Sequence, residues 1–312
     1  MLPSEMIKAL EATGDYRVLH RFQPRSVYGE IGPGRVGYAC VVDFETTGVE
    51  VDDTPWEVGM VLVEYDLDSG RLGRVVERYH GLEDPGRPLP DHIKLLTGAT
   101  DEELHGKTFD DAKVDAIVRR SGIMIAHNSA FDRTMAEKRF SCMATKPWGC
   151  SMDDVPWKAL GLASVKLEFI AVMQGAFYDA HRAPVDAEVT TWVLGNELSD
   201  GHPAMWHVLT RARRTNYRVW ALDSPFQLKD VLKARGYKWF DGPQYAFKGW
   251  RIETVDLIEE LEFLETEIYG PRGQVMVEEL GPKDRFTERR AGYEPVTLGQ
   301  KSFAAQGQVA QR

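Results

Sequence analysis

A chain of 312 residues is long enough for about two domains at roughly 150 residues each. With 43% apolar and 28% charged side chains, its composition excludes collagen-like, mucin-like and wholly disordered proteins. Asp and Glu number 48 against 38 Lys and Arg, a formal net charge of -10. That balance argues against gripping nucleic acid by bulk charge, though not against an enzyme that meets phosphates through bound metal. Three cysteines, Cys40, Cys142 and Cys150, make no disulfide framework and point to a reducing compartment. The N-terminus shows no basic-then-apolar leader, and no apolar run approaches the ~20 residues of a spanning helix, so cytoplasmic residence is the expectation.

In chain order, Ser4–Ala12 reads as a short amphipathic helix with Ser4 as N-cap and Gly14 as stop. A stretch carrying Arg17, Arg21, Arg25 and Arg35 leads through Gly32, Pro33, Gly34 and Gly37 into a strand at Tyr38–Phe44, whose unbroken apolar run suits a buried position. Val58–Tyr65 and Val75–His80 read as a hairpin joined by the turn-rich Asp66–Gly73. Helices follow at Asp101–His105 and Asp110–Arg120, then a short buried strand at Ile123–Ala126, then helices at Phe131–Phe140, Val165–Gln174 and Pro184–Leu198. A strand meander that gives way to alternating strands and helices predicts an α/β fold, a mixed central sheet flanked by helices.

Ser199, Asp200, Gly201 and Pro203 interrupt the pattern. Beyond them come a helix at Ala204–Arg214, a strand at Tyr217–Ala221 and a helix at Pro225–Arg235 stopped by Gly236. Aromatic strands at Tyr237–Phe240 and Tyr245–Trp250 precede an acidic helix at Thr254–Tyr269 closed by Gly270 and Pro271. The expected organisation is therefore an N-terminal helical extension (1–36), a main domain (37–200), a smaller α+β C-terminal domain (203–270) and an irregular tail (271–312).

Three segments carry candidate chemistry. In Asp43-Phe44-Glu45-Thr46-Thr47-Gly48, at the end of the first long strand, side chains two apart point the same way, so Asp43 and Glu45 share a face and Phe44 takes the other. Two like charges ~4 Å apart at an effective dielectric of about 20 repel by roughly 4 kcal/mol. A hard cation with oxygen ligands reverses that sign. In His127-Asn128-Ser129-Ala130-Phe131-Asp132 a strand ends and a helix starts, which sets Asp132 in the first turn, near the strand ends where ligands of α/β sheets gather. In His181-Arg182-Ala183-Pro184-Val185-Asp186, Pro184 suits a first helical turn, leaving His181 in the preceding loop and Asp186 inside the helix. Gly32-Pro33-Gly34-Arg35-Val36-Gly37 formally matches GxGxxG, but it precedes a strand and opens no helix, so it is no dinucleotide loop.

Taken together and in this order, the three segments resemble the DEDD-type 3′–5′ exonucleases in the variant with histidine before the last aspartate. This is the DEDDh, or DnaQ-like, family of the proofreading epsilon subunit, RNase T and oligoribonuclease. The similarity covers residues 37–198, and Leu96-Thr97-Gly98-Ala99-Thr100 also resembles a stretch common in the family. The resemblance implies a ribonuclease H-like exonuclease domain. It implies that Asp43, Glu45, Asp132 and Asp186 hold two Mg²⁺, with Mn²⁺ as substitute, and that His181 is the general base. As substrate contacts it implies Thr46, Thr47, Phe44, His127, Asn128 and Phe131. For Phe44 strand geometry points the ring away from the carboxylates, and for His127 and Asn128 a structural role stands beside the substrate role.

The implied activity is metal-dependent release of nucleoside 5′-monophosphates from the 3′ end of a nucleic acid, in DNA repair or replication. DNA, single-stranded foremost, is favoured by the motif spelling. An exoribonuclease of the RNase T or oligoribonuclease kind is the alternative. From another class comes a nucleic-acid-binding adaptor with a vestigial nuclease fold. In the C-terminal part, Arg211, Arg213, Arg214 and Arg218, then Lys229, Lys233, Arg235 and Lys238, interleave with Trp220, Tyr237, Trp239, Phe240, Tyr245, Phe247 and Trp250. That pattern fits either phosphate contact with base stacking or the aromatic core of a small domain.

Overall fold

The chain begins with helix α1 (Pro3–Glu11), started by Pro3 in the first turn and by Glu5 Oε2 accepting the Leu2 N–H at 2.8 Å, so Ser4 is not the cap. Strand β1 (His20–Arg21) follows. The meander comes next: β2 (Val36–Thr46), β3 (Pro55–Asp66) and β4 (Leu72–Leu82). Helices α2 (Asp91–Thr97), α3 (Asp101–Leu104) and α4 (Asp111–Arg120) lead to β5 (Ile123–Ala126). Then α5 (Ser129–Arg139), β6 (Trp148–Cys150), α6 (Leu167–Met173), β7 (Ala176–Phe177), α7 (Ala183–Gly195) and α8 (Ala204–Arg213) complete the first of two units, Met1–Ala212 and Arg213–Arg312. This computed structural model describes residues 2–32, 34–50, 52–242, 245–287 and 292–299.

Among the described residues of the first unit, five strands form a mixed sheet in the order β4-β3-β2-β5-β6. β2 and β3 pair antiparallel, as do β3 and β4, while β5 joins β2 and β6 joins β5 in parallel. This is the mixed central sheet flanked by helices that the sequence pattern predicts. Its centre is apolar on both faces, as a sheet covered by helices requires. Ala39, Val41, Val61 and Val63 meet Ala187, Val189, Val193 and Leu194 of α7 and Met205 and Val208 of α8 in one core.

Three sequence expectations are corrected, and two elements were missed. Residues 1–36 are no separate extension, because β1 pairs in parallel with β7 (His20 beside Ala176) and Val27 bridges Arg74. The division between units falls after Ala212, beyond the expected 200–203. Ser199–Pro203 is only a tight turn, closed by Glu197 against Pro203, and α8 returns its apolar face to the same core. Helix α2 was not foreseen, since its exposed Leu95 and Leu96 break the amphipathic pattern, and β6 is too short to register as a strand. The expected tail carries two strands, described next; residues 288–291 and 300–312 of it lie outside the described residues.

The second unit contains β8 (Asn216–Ala221), α9 (Lys229–Arg235), β9 (Lys238–Phe240), β10 (Gly249–Thr254), α10 (Leu257–Phe263), β11 (Gln274–Leu280) and β12 (Glu294–Thr297). The acidic helix expected over Thr254–Tyr269 is α10 continued by a π-helical turn, Leu264–Tyr269. The described strands form an antiparallel sheet in the order β12-β11-β8-β10-β9. One face packs Val219, Ala221, Val275 and Val277 against Leu232 of α9 and Leu261 of α10. On the other, Arg218 pairs with Glu253 and Glu278, and the Arg251 guanidinium lies 3.7 Å from the Phe240 ring centroid and 5.2 Å from that of Trp220. Trp220 and Tyr237 are buried, so these two aromatics are core. Among the described residues no helix is long and apolar enough to cross a membrane.

Candidate metal centre

Strand alternation puts Asp43 and Glu45 on the face of β2 that meets α7. The β2–β3 register sets Asp43 beside Gly59 and Glu45 beside Glu57. A Cβ on Gly59 would lie 2.3 Å from the Ala183 carbonyl oxygen and 2.4 Å from Pro184 N, so only glycine lets β3 pass beneath the turn that starts α7. That close approach brings Asp186, in the first turn of α7, over the strand. The carboxylate oxygens of Asp43, Glu45 and Asp186 lie within 4.8 Å of one another. Asp186 is itself fixed, accepting the Tyr178 hydroxyl at 3.1 Å and the Arg182 backbone N–H at 3.0 Å. Asp132, from α5, stands beside this triad. Its carboxylate is buried, and Oδ1 accepts the Phe44 N–H at 3.2 Å.

Burial is the main force on all four acids, and like charge adds to it. Asp43 is pushed well above the usual carboxylate range by burial, then by Asp132, Asp186, Glu45 and Glu57. Glu45 rises to about 8 by burial and the charges of Asp186 and Glu57. Asp132 rises to about 8 by burial, against the hydrogen bond from Phe44. Asp186 rises only to about 6, because the Tyr178 hydroxyl and the Arg182 N–H oppose its burial. Among the described residues no lysine or arginine forms an ion pair with any of the four. Hard oxygen donors that the chain leaves uncompensated are the donor set of a divalent cation, and the residues fit one.

Beside the acids lies a clamp that sequence reading did not find. Glu57 is wholly buried on β3, yet held below the usual range. Burial alone would raise it, but hydrogen bonds from His80 and Arg182 outweigh that. Arg182 Nε reaches both Glu57 oxygens at 3.0 Å, Arg182 Nη2 reaches Oε1 at 2.7 Å, and the Ala183 N–H donates to Oε2 at 3.0 Å. Arg182 Nη2 also meets Glu103 of α3 at 2.9 Å. The residue before this clamp, His181, has φ of 68°, a left-handed backbone tolerated by few side chains, and is half-buried at the loop. A signal for Glu57 existed: a charged residue at an inward position of an apolar strand needs a partner. Tyr178 had no such signal.

The remaining expected residues separate. The Phe44 ring is buried against Phe140, 6.3 Å between centroids, while its backbone N–H donates to Asp132. Thr47 is also buried; its hydroxyl donates to Asp53 at 2.7 Å and accepts from Arg87 at 2.7 Å, bracing the loop after β2. Thr46 is buried and donates to the Gly48 carbonyl at 2.5 Å. His127 has both ring nitrogens engaged, with Ser151 Oγ and the Val165 carbonyl, each at 2.8 Å, and burial lowers it to about 4. These two contacts fit the structural role that stood beside the substrate role for His127. Asn128 is exposed and caps α5 without a side-chain bond, its carbonyl accepting the Phe131 and Asp132 N–H groups; Phe131 is half-buried. Ser129, not Asn128, ties this turn down, donating to the Gly149 carbonyl at 2.6 Å.

The family match falls within the first unit. Residues 40–194 match the family model described as exonuclease, of the RNase T type. The PolC-type DNA polymerase III of Listeria welshimeri is 26% identical over 183 residues, 54% of this chain and 12% of the polymerase. That of Clostridium perfringens is 29% identical over 161 residues, 49% of this chain and 11% of the polymerase. The chain thus spans a small part of the length of these relatives. Among solved structures, the zinc-bound E. coli exonuclease I complex with single-stranded DNA aligns at a TM-score of 0.46 and 14% identity, covering 70% of this chain and 63% of that one. Exonuclease X in complex with 5′-overhanging duplex DNA aligns at 0.36 and 15%, covering 54% and 99%.

Proposed function

The chain belongs, through residues 40–194, to the DnaQ-like DEDDh 3′–5′ exonuclease family, and from that premise we propose that it is a metal-dependent 3′–5′ exonuclease that releases nucleoside 5′-monophosphates. Its substrate is the 3′ end of a nucleic acid, with single-stranded DNA favoured over RNA. The observation that carries this reading is the convergence of the Asp43, Glu45 and Asp186 carboxylate oxygens within 4.8 Å, with Asp132 adjoining.

Asp43, Glu45, Asp186 and Asp132 would hold the divalent cations, two Mg²⁺ in this reading. When bound, such ions supply Lewis acidity at the phosphate and favour an ionised attacking water. The rest is the work of the chain. His181 takes the proton from the attacking water as the water oxygen bonds to phosphorus and the bond from phosphorus to the 3′ oxygen breaks, that oxygen staying on the shortened strand and taking a proton from solvent to become its new 3′ hydroxyl. The Tyr178 hydroxyl keeps Asp186 turned toward Asp43 and Glu45. Glu57, through Arg182 and the Ala183 N–H, fixes the turn on which His181 is carried. The buried Phe44 N–H orients Asp132.

The test is digestion of 5′-labelled single-stranded DNA, duplex DNA and RNA with Mg²⁺ or Mn²⁺, then with chelator, and identification of the released product. Stepwise shortening to nucleoside 5′-monophosphates that chelation stops is expected, and the comparison of polymers selects DNA or RNA. Binding without hydrolysis of any polymer, or hydrolysis that survives Asp43→Ala, would overturn the reading.

A further inference from the structure

The second unit leaves unusual side chains in water. Phe226 is 74% exposed and Trp239 is 50% exposed, on a chain that buries Trp56, Trp148, Trp157 and Trp220 completely. Trp239 sits on β9, the outer strand of its sheet, directly across from Trp250 of β10, with the rings 5.5 Å apart. Two lysines one turn apart on α9 lie over this surface. Lys229 Nζ is 4.3 Å from the Phe226 ring centroid, and Lys233 Nζ is 5.9 Å from that of Trp250. Lys238 is exposed on the same edge strand.

The sign of the surface follows from helix geometry. Lys229 and Lys233 are four residues apart and share a side of α9, whereas Arg235 lies on the other side. There Arg235 takes up Glu259 and Glu260 of the acidic helix α10, at 2.8 and 3.1 Å. Two acids of α10 are thereby met on one side of α9, and Lys229 and Lys233 are left on the other. Asp230 approaches Lys233 at 3.9 Å with both groups exposed, a pairing of little energetic weight. Exposed rings flanked by cations suit a partner with flat π faces and repeating negative charge. A single strand offers both, whereas a duplex hides its base faces in its own stack.

We propose that this face of the second unit binds single-stranded nucleic acid, with bases stacking on Trp239 and Phe226 and phosphates meeting Lys229 and Lys233. None of these residues belongs to the metal centre, so the surface stands or falls apart from the nuclease reading.

The experiment uses the full chain carrying Asp43→Ala, in chelator, so that no strand is consumed whichever way the nuclease reading falls. Labelled single strands of DNA and of RNA, longer than the ~4–16 nucleotides that a small module covers, are titrated by fluorescence anisotropy at several salt concentrations. Trp239→Ala is expected to weaken binding about fivefold to a hundredfold, and Trp239→Phe to recover most of it. Lys229→Ala with Lys233→Ala, at a half-buried and an exposed position, is expected to flatten the slope of log affinity against log salt by about 1.4, with a melting curve of the variant confirming that it is folded. The DNA and RNA arms identify the polymer. Unchanged affinity and unchanged slope in these variants would overturn the proposal. So would variants that alter only the oligomeric state, which would assign the patch to a second copy of the chain.

Discussion

Glu57 and Arg182 are 125 positions apart and share a bidentate ion pair, with Nε 3.0 Å from each carboxylate oxygen and Nη2 2.7 Å from Oε1. Glu57 has no exposed surface, so removing its partner strands a buried charge. Arg182→Ala is therefore expected to lower stability by about 2–4 kcal/mol, discounted from the fully buried case because Arg182 keeps some exposure. It should also slow hydrolysis by loosening the turn that carries His181. Arg182→Lys keeps the charge without the planar fork and should recover little. Urea titration and single-turnover digestion measure the two effects, and wild-type values for both would mean that the clamp does not hold the turn.

Gly59→Ala tests the close approach itself. The added methyl group would meet backbone atoms of Ala183 and Pro184, which cannot rotate away. A loss of about 1–3 kcal/mol is expected from overpacking. Because the displaced turn carries Asp186, affinity for Mn²⁺, measured calorimetrically, should fall as well.

Protonation of the acids sets the pH dependence. A carboxyl group raised in the fold contributes stability that is fully present below its unfolded value, near 4, and is lost as pH rises through its folded value. Those folded values are about 6 for Asp186 and about 8 for Glu45 and Asp132. In chelator the melting temperature should therefore drop between about pH 4 and about pH 8 on account of this cluster. A divalent cation should restore it, more strongly at the alkaline end where protons no longer compete. His127 acts with the opposite sign. Lowered to about 4, it contributes stability that is lost as pH falls from about 6.5 toward its folded value. Melts with and without Mg²⁺ across this range decide the matter, and a cation effect independent of pH would count against cation binding by these acids.

Asp43 is the most crowded of the four, raised by burial and by four neighbouring carboxylates. Asp43→Asn should abolish digestion of labelled strands, yet in chelator near neutral pH it should melt no lower than the parent, since burial and its neighbours already hold Asp43 against ionisation and a neutral amide takes its place. A variant that loses activity through unfolding would show a lowered melting temperature instead.

His181→Asn removes the imidazole while keeping a residue that tolerates left-handed backbone. A fall of about 10²- to 10⁴-fold in single-turnover rate, with unchanged cation affinity, is the expectation for a lost general base. An unaltered rate would remove His181 from that role.

The site and the fold differ in how far they could be read from the chain. Period-two alternation is local, so the shared face of Asp43 and Glu45 follows from their spacing alone. The first-turn position of Asp186 follows likewise from Pro184, and the meander and its mixed α/β class from apolar runs and turn residues. Boundaries failed where tertiary contact overrode local pattern. The turn at Ser199–Pro203 looks like a linker, but α8 folds back into the first core. β11 and β12 fall in a segment that read as a tail, because pairing with β8, nearly sixty positions earlier, is what makes β11 a strand.

Residue type and spacing alone therefore determined which acids could share a face, where the helices that carry Asp132 and Asp186 begin, and that paired carboxylates call for a cation, while phosphate-directed chemistry entered only as what the family resemblance implies. Only the folded chain decided that Glu57 is an internal anchor, that His127 and Thr47 are held by hydrogen bonds and the Phe44 ring by core packing, and that the carboxylate oxygens of Asp43, Glu45 and Asp186 meet within 4.8 Å. The reason is range. Backbone periodicity acts over a few residues and is written in their order. Register across β2 and β3, the passage of Gly59 under Ala183 and the pairing of Glu57 with Arg182 arise between distant segments, and they exist only once the whole core has packed.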